Sequence, residues 1–369
     1  MKRLFVMMRP VLTGVQVFLL GSCYLTTQGY HLLQDQVAAR SVTRFQETIP
    51  ASAARTPEQE LELRLFQEVD RIREFGLAEV GLTAGKSFTT YVRTDRDYLV
   101  DVVSAARSDR FERKEWSFPV FGRFPYKGFY NTDAAARLAE QLRREGWDVY
   151  VRRVDAFSTL GFLREPLYTF MTAYDDARLA DLILHEMAHA TLWVKDEAQF
   201  NEEFAVFVGR TGAREYLVRQ FGEEDERIID LDRRRVDAAT YREDILGLRD
   251  TLNELYENAI ELEDEFSRRE RILREKEAII GRFQEEFRET YEERYVSDAY
   301  RRAAEITINN AYLDLFSTYT GNLHLFEEYH RLLGGSLGQT VDALVLLITT
   351  RPAGERPTDT LRRVLSGWE

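Results

Sequence analysis

The residues with the clearest chemical content are His185-Glu186-Met187-Ala188-His189, an H-E-x-x-H string. On a helix, positions four apart lie one turn apart on the same face, so two imidazoles at this spacing can reach a single divalent ion. Glu186, beside the first of them, then stands where it can take a proton from attacking water. The spacing predicts metal-assisted hydrolysis, with His185 and His189 as ligands and Glu186 as general base. The surrounding residues suit a helix: Asp175 or Asp176 can cap its start, and Leu179, Leu182 and Ile183 build an apolar face.

Two imidazoles leave a catalytic zinc ion one protein ligand short. Asn201-Glu202-Glu203-Phe204-Ala205 opens a second apolar-periodic segment, and twelve residues separate His189 from Glu202, enough for a tight loop and a return. Glu202 is the expected third ligand and one Zn2+ per chain the expected cofactor. Glu203 is the rival, but a step of one residue turns it about 100 degrees round the helix, so the two cannot serve equally. Hydrolysis of an amide also needs a donor for the developing oxyanion. Tyr174, just before the motif helix, and Tyr319 are the candidates, with Tyr312 and His324 behind them.

These groups need a scaffold to hold them. Of 369 residues, 44% are hydrophobic and 12% aromatic, which is enough for a proper core. The net charge of −13 argues against nucleic acid as a partner, because phosphate binding needs a basic surface. At the N-terminus, Lys2, Arg3 and Arg9 flank an apolar run from Val11 to Leu20, and Leu20-Gly21-Ser22-Cys23 has the form of a bacterial lipobox. Residues 1–22 are therefore expected to be a lipoprotein signal peptide, with Cys23 lipidated and holding the protein to the membrane. Tyr24 after the cysteine, rather than Asp, fits the outer membrane, with the protein facing the periplasm. The single cysteine excludes an internal disulfide.

Residues 23–75 read as anchor, spacer and N-terminal helices, the last an amphipathic helix from about Pro57 to Phe75 with Leu61, Leu65 and Val69 on one face. Residues 76–170 read as an α+β subdomain, with strands at Tyr98–Val103 and Asp148–Arg152 and a helix from Ala134 to Glu145 between them. Zinc-binding helices occupy 171–222. A charged helical hairpin spans 223–299, carrying the stripe Ile245, Leu248, Leu252, Leu255, Ala259, Leu262, Phe266. Residues 300–369 are the C-terminal helical part of the catalytic domain, broken at Gly334-Gly335. The expected fold class is α+β, mostly α: a zincin-like metallopeptidase with a small N-terminal α+β subdomain and a long helical hairpin.

Glu202 resembles the third ligand of the gluzincin peptidases, which comes from a helix after the H-E-x-x-H helix. The metzincin pattern is excluded, since it needs a glycine and then a histidine where this chain has Leu192 and Lys195. The chain is more specifically similar to a bacterial family described as zinc aminopeptidases, mostly lipoproteins, from Cys23 to about residue 345. The likeness lies in Trp116-Ser-Phe-Pro-Val-Phe-Gly122, Tyr126-Lys-Gly-Phe-Tyr130, Val154-Asp-Ala-Phe-Ser-Thr-Leu-Gly161, Glu165-Pro166, Phe200-Asn-Glu-Glu-Phe-Ala205 and Asn309-Asn-Ala311, together with the metal motif. Phe157 stands where that pattern has tyrosine. The resemblance implies an aminopeptidase of the cell envelope acting on a peptide or protein substrate. Two other readings share the residues: a narrow endopeptidase, and an envelope scaffold that holds a protein partner at hairpin residues 240–290 with a structural or vestigial zinc site.

Overall fold

The computed structural model describes residues 35–367 except 36, 51–53, 84–86, 119–121, 155–164 and 260–263. Residues 1–22, Cys23, Phe157 and Leu262 thus lie outside the described residues. The fold is α+β and mostly helical, with small sheets.

The helices begin where local chemistry says they should. A short strand β1 (Arg40–Ser41) leads into α1 (Val42–Thr48), and α2 (Pro57–Ala78) starts on a capping box: Gln59 N–H donates to Thr56 Oγ1 at 3.3 Å, and Thr56 N–H to Gln59 Oε1 at 2.9 Å. Its core face is Leu65, Phe66, Val69 and Ile72. Leu61, expected on that face, is 45% exposed, because each step of four residues advances the helix about 40 degrees and carries it off the stripe.

Among the described residues, all the strands after β1 lie between α2 and the motif helix. They are β2 (Thr90–Val92), β3 (Val100–Arg107), β4 (Trp116–Phe118), β5 (Gly122–Phe124), β6 (Tyr126–Phe129), β7 (Trp147–Val154) and β8 (Leu167–Tyr168), with α3 (Thr132–Arg144) preceding β7. Three strands form an antiparallel sheet in the order β6-β3-β7. Val103, Ala105 and Val149 point to one face and pack on Ala135, Ala139 and Leu142 of α3. Strand residues alternate between faces, so Tyr150 and Arg152 point to the other side, toward the helices that follow.

Those helices are α4 (Asp176–Thr191), α5 (Ala198–Phe221), α6 (Glu226–Asn258), α7 (Glu265–Arg294), α8 (Asn310–Thr320), α9 (Leu323–Leu333), α10 (Leu337–Thr349) and α11 (Pro357–Ser366). α6 and α7 are the long hairpin, and Asp264 caps the second arm by accepting from Phe266 and Ser267 N–H at 3.1 Å. Ile245, Leu248 and Leu252 bury against Ile272 and Ile280 of the return arm and against Ile308, Tyr312 and Leu313. Phe266, read as part of the stripe, is 78% exposed beyond the turn. Lys276 Nζ fastens the hairpin to the sheet, donating to Ser108 O at 2.8 Å and Asp148 Oδ2 at 2.6 Å. α8 docks on the same edge: Asn310 N–H donates to Asp148 Oδ2 at 2.8 Å and its side chain to Arg107 O at 2.8 Å. Among the described residues no single helix is long and apolar enough to cross a membrane.

Candidate metal centre

α4 is held from both ends and from behind. Asp175 caps it, accepting from Arg178 N–H at 2.7 Å, and Leu179, Ile183, Leu184 and Met187 are buried in the main core. Burying each such side chain contributes roughly 1.5–3 kcal/mol, so the helix is rigid where the histidines sit. The opposite side of the last two turns carries His185 and His189, their rings 4.8 Å apart and nearly perpendicular.

The chain then turns in six residues. Asp196 adopts a left-handed backbone, φ 62°, which lets so short a loop reverse. Asn201 clips the turn: its Oδ1 accepts from Val194 N–H at 2.9 Å and its Nδ2 donates to Val194 O at 2.7 Å, all fully buried. Farther along, α5 approaches α4 at Gly209, where a Cβ would come within 3.1 Å of His185 Cβ and 2.8 Å of the Asp181 carbonyl. The clip and the close contact together present Glu202 to the histidines.

Glu202 Oε2 lies 3.7 Å from His185 Nε2 and 3.8 Å from His189 Nε2, and one donor atom from each of the three residues falls within 4.8 Å of the others. These separations are too long for hydrogen bonds. They are close to the roughly 3.4 Å between donors in a tetrahedral shell of about 2.0–2.1 Å bonds. Glu203 points elsewhere: it accepts from Asn322 N–H at 2.6 Å, Asn322 Nδ2 at 3.2 Å and Gln199 Nε2 at 2.9 Å, tying α5 to the start of α9.

The electrostatics suit a cation. Burial drives His185 well below its ordinary range, with the charges of His189, Arg152 and Arg210 adding to it, and burial lowers His189 to about 4. Burial also raises Glu202 to about 7, against the pull of Arg152. Without an ion the site holds two neutral imidazoles facing a carboxyl close to half protonated at neutral pH, with no hydrogen bond among the three. His189 Nδ1 is buried and hydrogen-bonds no described group. A divalent ion would reverse each of these costs, because neutral imidazole and carboxylate are the forms that ligate. The three residues therefore fit a metal ion.

A family model described as "Putative aminopeptidase" matches residues 30–358. The chain belongs to that family. No curated protein and no solved structure matches it at a significant level. In this family member Glu186 is buried on the same turn as His185, 8% exposed, and is not one of the three clustered donors. Tyr174 precedes α4, with the Arg178 guanidinium 3.9 Å over its ring, and is not one of the three clustered donors. The Tyr319 side chain lies outside the described residues; its backbone is in α8, one turn past Phe316. Tyr312 donates to or accepts from Tyr241 Oη at 2.8 Å in a separate aromatic cluster, and His324 is held low by burial with Arg242 beside it.

Two residues of the site were not evident from motif spacing. Arg152 is the cation felt by both His185 and Glu202, and the signal for it is the period-two alternation of β7, which sends Arg152 and Tyr150 to the same face. Arg210 follows Gly209 on α5 and also acts on His185.

Proposed function

We propose that this family member is a zinc-dependent aminopeptidase of the bacterial cell envelope, anchored through lipidated Cys23. The observation that carries the hydrolase reading is the convergence of two helix-borne imidazoles and one carboxylate, with a further buried carboxylate, Glu186, beside them and outside the ligand set. Two nitrogens and one oxygen are the donor set of catalytic zinc sites, which keep a position open. The ion, when held by His185, His189 and Glu202, would supply Lewis acidity to water and to a scissile carbonyl. Glu186 then accepts a proton from the attacking water and delivers it to the leaving nitrogen. Arg152 opposes the burial that raises Glu202 and so favours its ligating, ionised form. Asn201 and Gly209 fix the approach of the two helices, so the donors are placed before an ion arrives.

Metal analysis of the purified protein, beside mass-spectrometric digestion of a peptide library by wild type and Glu186→Gln, tests this directly. About one zinc per chain is expected in both, with cleavage lowered roughly 10²–10⁴-fold in the variant. Absence of bound metal, or equal cleavage by the two, would overturn it. N-terminal acetylation of a cleaved peptide should abolish cutting; a peptide still cut after acetylation identifies an endopeptidase. Incorporation of labelled palmitate into wild type and not into Cys23→Ser tests the anchor.

A further inference from the structure

The structure holds an open-sided cavity of about 500 Å³ whose walls include Tyr241, Tyr300, Tyr312, Phe316, Ile306 and Ala303. Tyr241 stacks on Tyr300 with ring centroids 4.5 Å apart and meets Phe316 edge-on at 5.7 Å. Three connections link the wall of this cavity to the elements that carry the metal cluster. Tyr150 packs edge-on against Tyr312 at 5.0 Å, and Arg152, two residues on and about 7 Å away along the same face of β7, acts on His185 and Glu202. Ser317, adjoining Phe316, accepts through its carbonyl from Gln199 Nε2 at 3.4 Å, within one turn of Glu202. Arg210 acts on both His185 and Tyr300.

The lining selects an apolar guest. The hydroxyls of Tyr241 and Tyr312 satisfy each other at 2.8 Å, which leaves ring faces and aliphatic groups toward the space. The charges that border it, Arg302 and Glu305, pair with each other at 2.8 Å on the exposed rim. The Tyr300 hydroxyl makes no hydrogen bond among the described residues and is the one polar handle left over. The volume is within the range of small-molecule sites and ample for one large side chain. We propose that this cavity receives an aromatic or large aliphatic side chain of the peptide substrate and thereby sets which peptides are cut. The word substrate rests on the peptidase reading; the chemical class of the guest rests on the cavity alone.

Calorimetric titration of the metal-loaded full-length Glu186→Gln protein with pentaglycines carrying Phe, Leu or Ala at each position in turn tests it. The best Phe or Leu peptide should bind at least about 10-fold tighter than its Ala counterpart. Adding Ala299→Trp, at an exposed rim position of the cavity, should erase that preference while leaving the Ala peptides unchanged. Ala303→Leu, which fills the cavity from its buried side, should do the same, with melting by circular dichroism confirming the fold. Equal binding of Phe and Ala peptides, or a preference that survives both variants, overturns the proposal. If wild type cuts nothing yet the preference exists and the fillings abolish it, the hydrolase reading falls and the cavity assignment stands. If wild type cuts peptides without regard to side chain, the assignment falls and the hydrolase stands.

Discussion

Asn201 tests whether the metal site is built by the loop or merely sits near it. Its side chain makes two buried hydrogen bonds to one residue, accepting from Val194 N–H at 2.9 Å and donating to Val194 O at 2.7 Å. Asn201→Leu keeps the branching and the number of heavy atoms but removes both bonds and leaves a buried donor and acceptor without partners. Each lost bond costs about 1 kcal/mol, and the stranded groups raise the total to about 2–5 kcal/mol. Asn201→Asp separates the two halves: the carboxylate still accepts from Val194 N–H, but its second oxygen faces the Val194 carbonyl. It should therefore cost nearly as much at pH 8 and recover part of the loss near pH 5, where a protonated carboxyl can donate. Urea unfolding of the metal-free proteins measures the stability, and zinc competition against a chromophoric chelator measures the site. Zinc affinity should fall about 10–100-fold in both variants, the range seen when groups behind metal ligands are removed. If Asn201→Leu unfolds within 0.5 kcal/mol of wild type, a bound set here at half the net worth of one hydrogen bond, and binds zinc equally, the loop does not position Glu202.

The remaining predictions concern charge and packing. Glu202, raised to about 7 by burial, binds a proton on folding, so its contribution to the metal-free protein is full at low pH and lost as pH rises from about 4.5 through 7, on the order of 3 kcal/mol. Subtracting the unfolding profile of Glu202→Gln from that of wild type should isolate this slope, and a flat difference between pH 5 and 8 would refute it. Arg152→Met, which removes the cation opposing that rise, should weaken zinc binding about 10-fold at pH 6.5 and much less at pH 8.5; equal weakening at both would show that Arg152 does not act through Glu202's charge. Gly209→Val should cost about 1–3 kcal/mol and loosen zinc binding, because its side chain meets Asp181 and the His185 Cβ, whereas Gly247→Ala on the hairpin, with nothing within 4 Å, should be neutral or stabilising in thermal melts.

Much of the architecture is readable because its signals are local. The Asp175 cap and the buried stripe of α4 announce the motif helix, the apolar run within Tyr98–Val103 announces β3, which extends to Arg107, and Gly146, at φ 81°, ends the helix read from Ala134 to Glu145. What resisted reading depends on partners far along the chain. Arg40 and Ser41 form a strand only because they pair with Tyr91 and Thr90, and β2 gains its other neighbour from Leu167 and Tyr168. Glu202 is the expected ligand, but the contact that separates it from Glu203 is likewise distant in the chain. Helical phase says that the two carboxylates diverge, but not which one faces the histidines. The answer is written in Asn322, whose backbone and side chain both engage Glu203 across 119 residues. That tie also explains why a buried acid is tolerated beside a metal site. Burial raises Glu203, while the hydrogen bonds from Asn322 and Gln199 pull it back, so it has fixed partners of its own and does not compete for an ion. Replacing Asn322 with leucine removes the side-chain donor and leaves Glu203 held by the residue-322 backbone N–H and by Gln199. Zinc stoichiometry should stay at one in Asn322→Leu, with affinity reduced by displacement of α5; a second ion, or tighter binding, would mean that Glu203 had been held back from a ligand role by Asn322 alone.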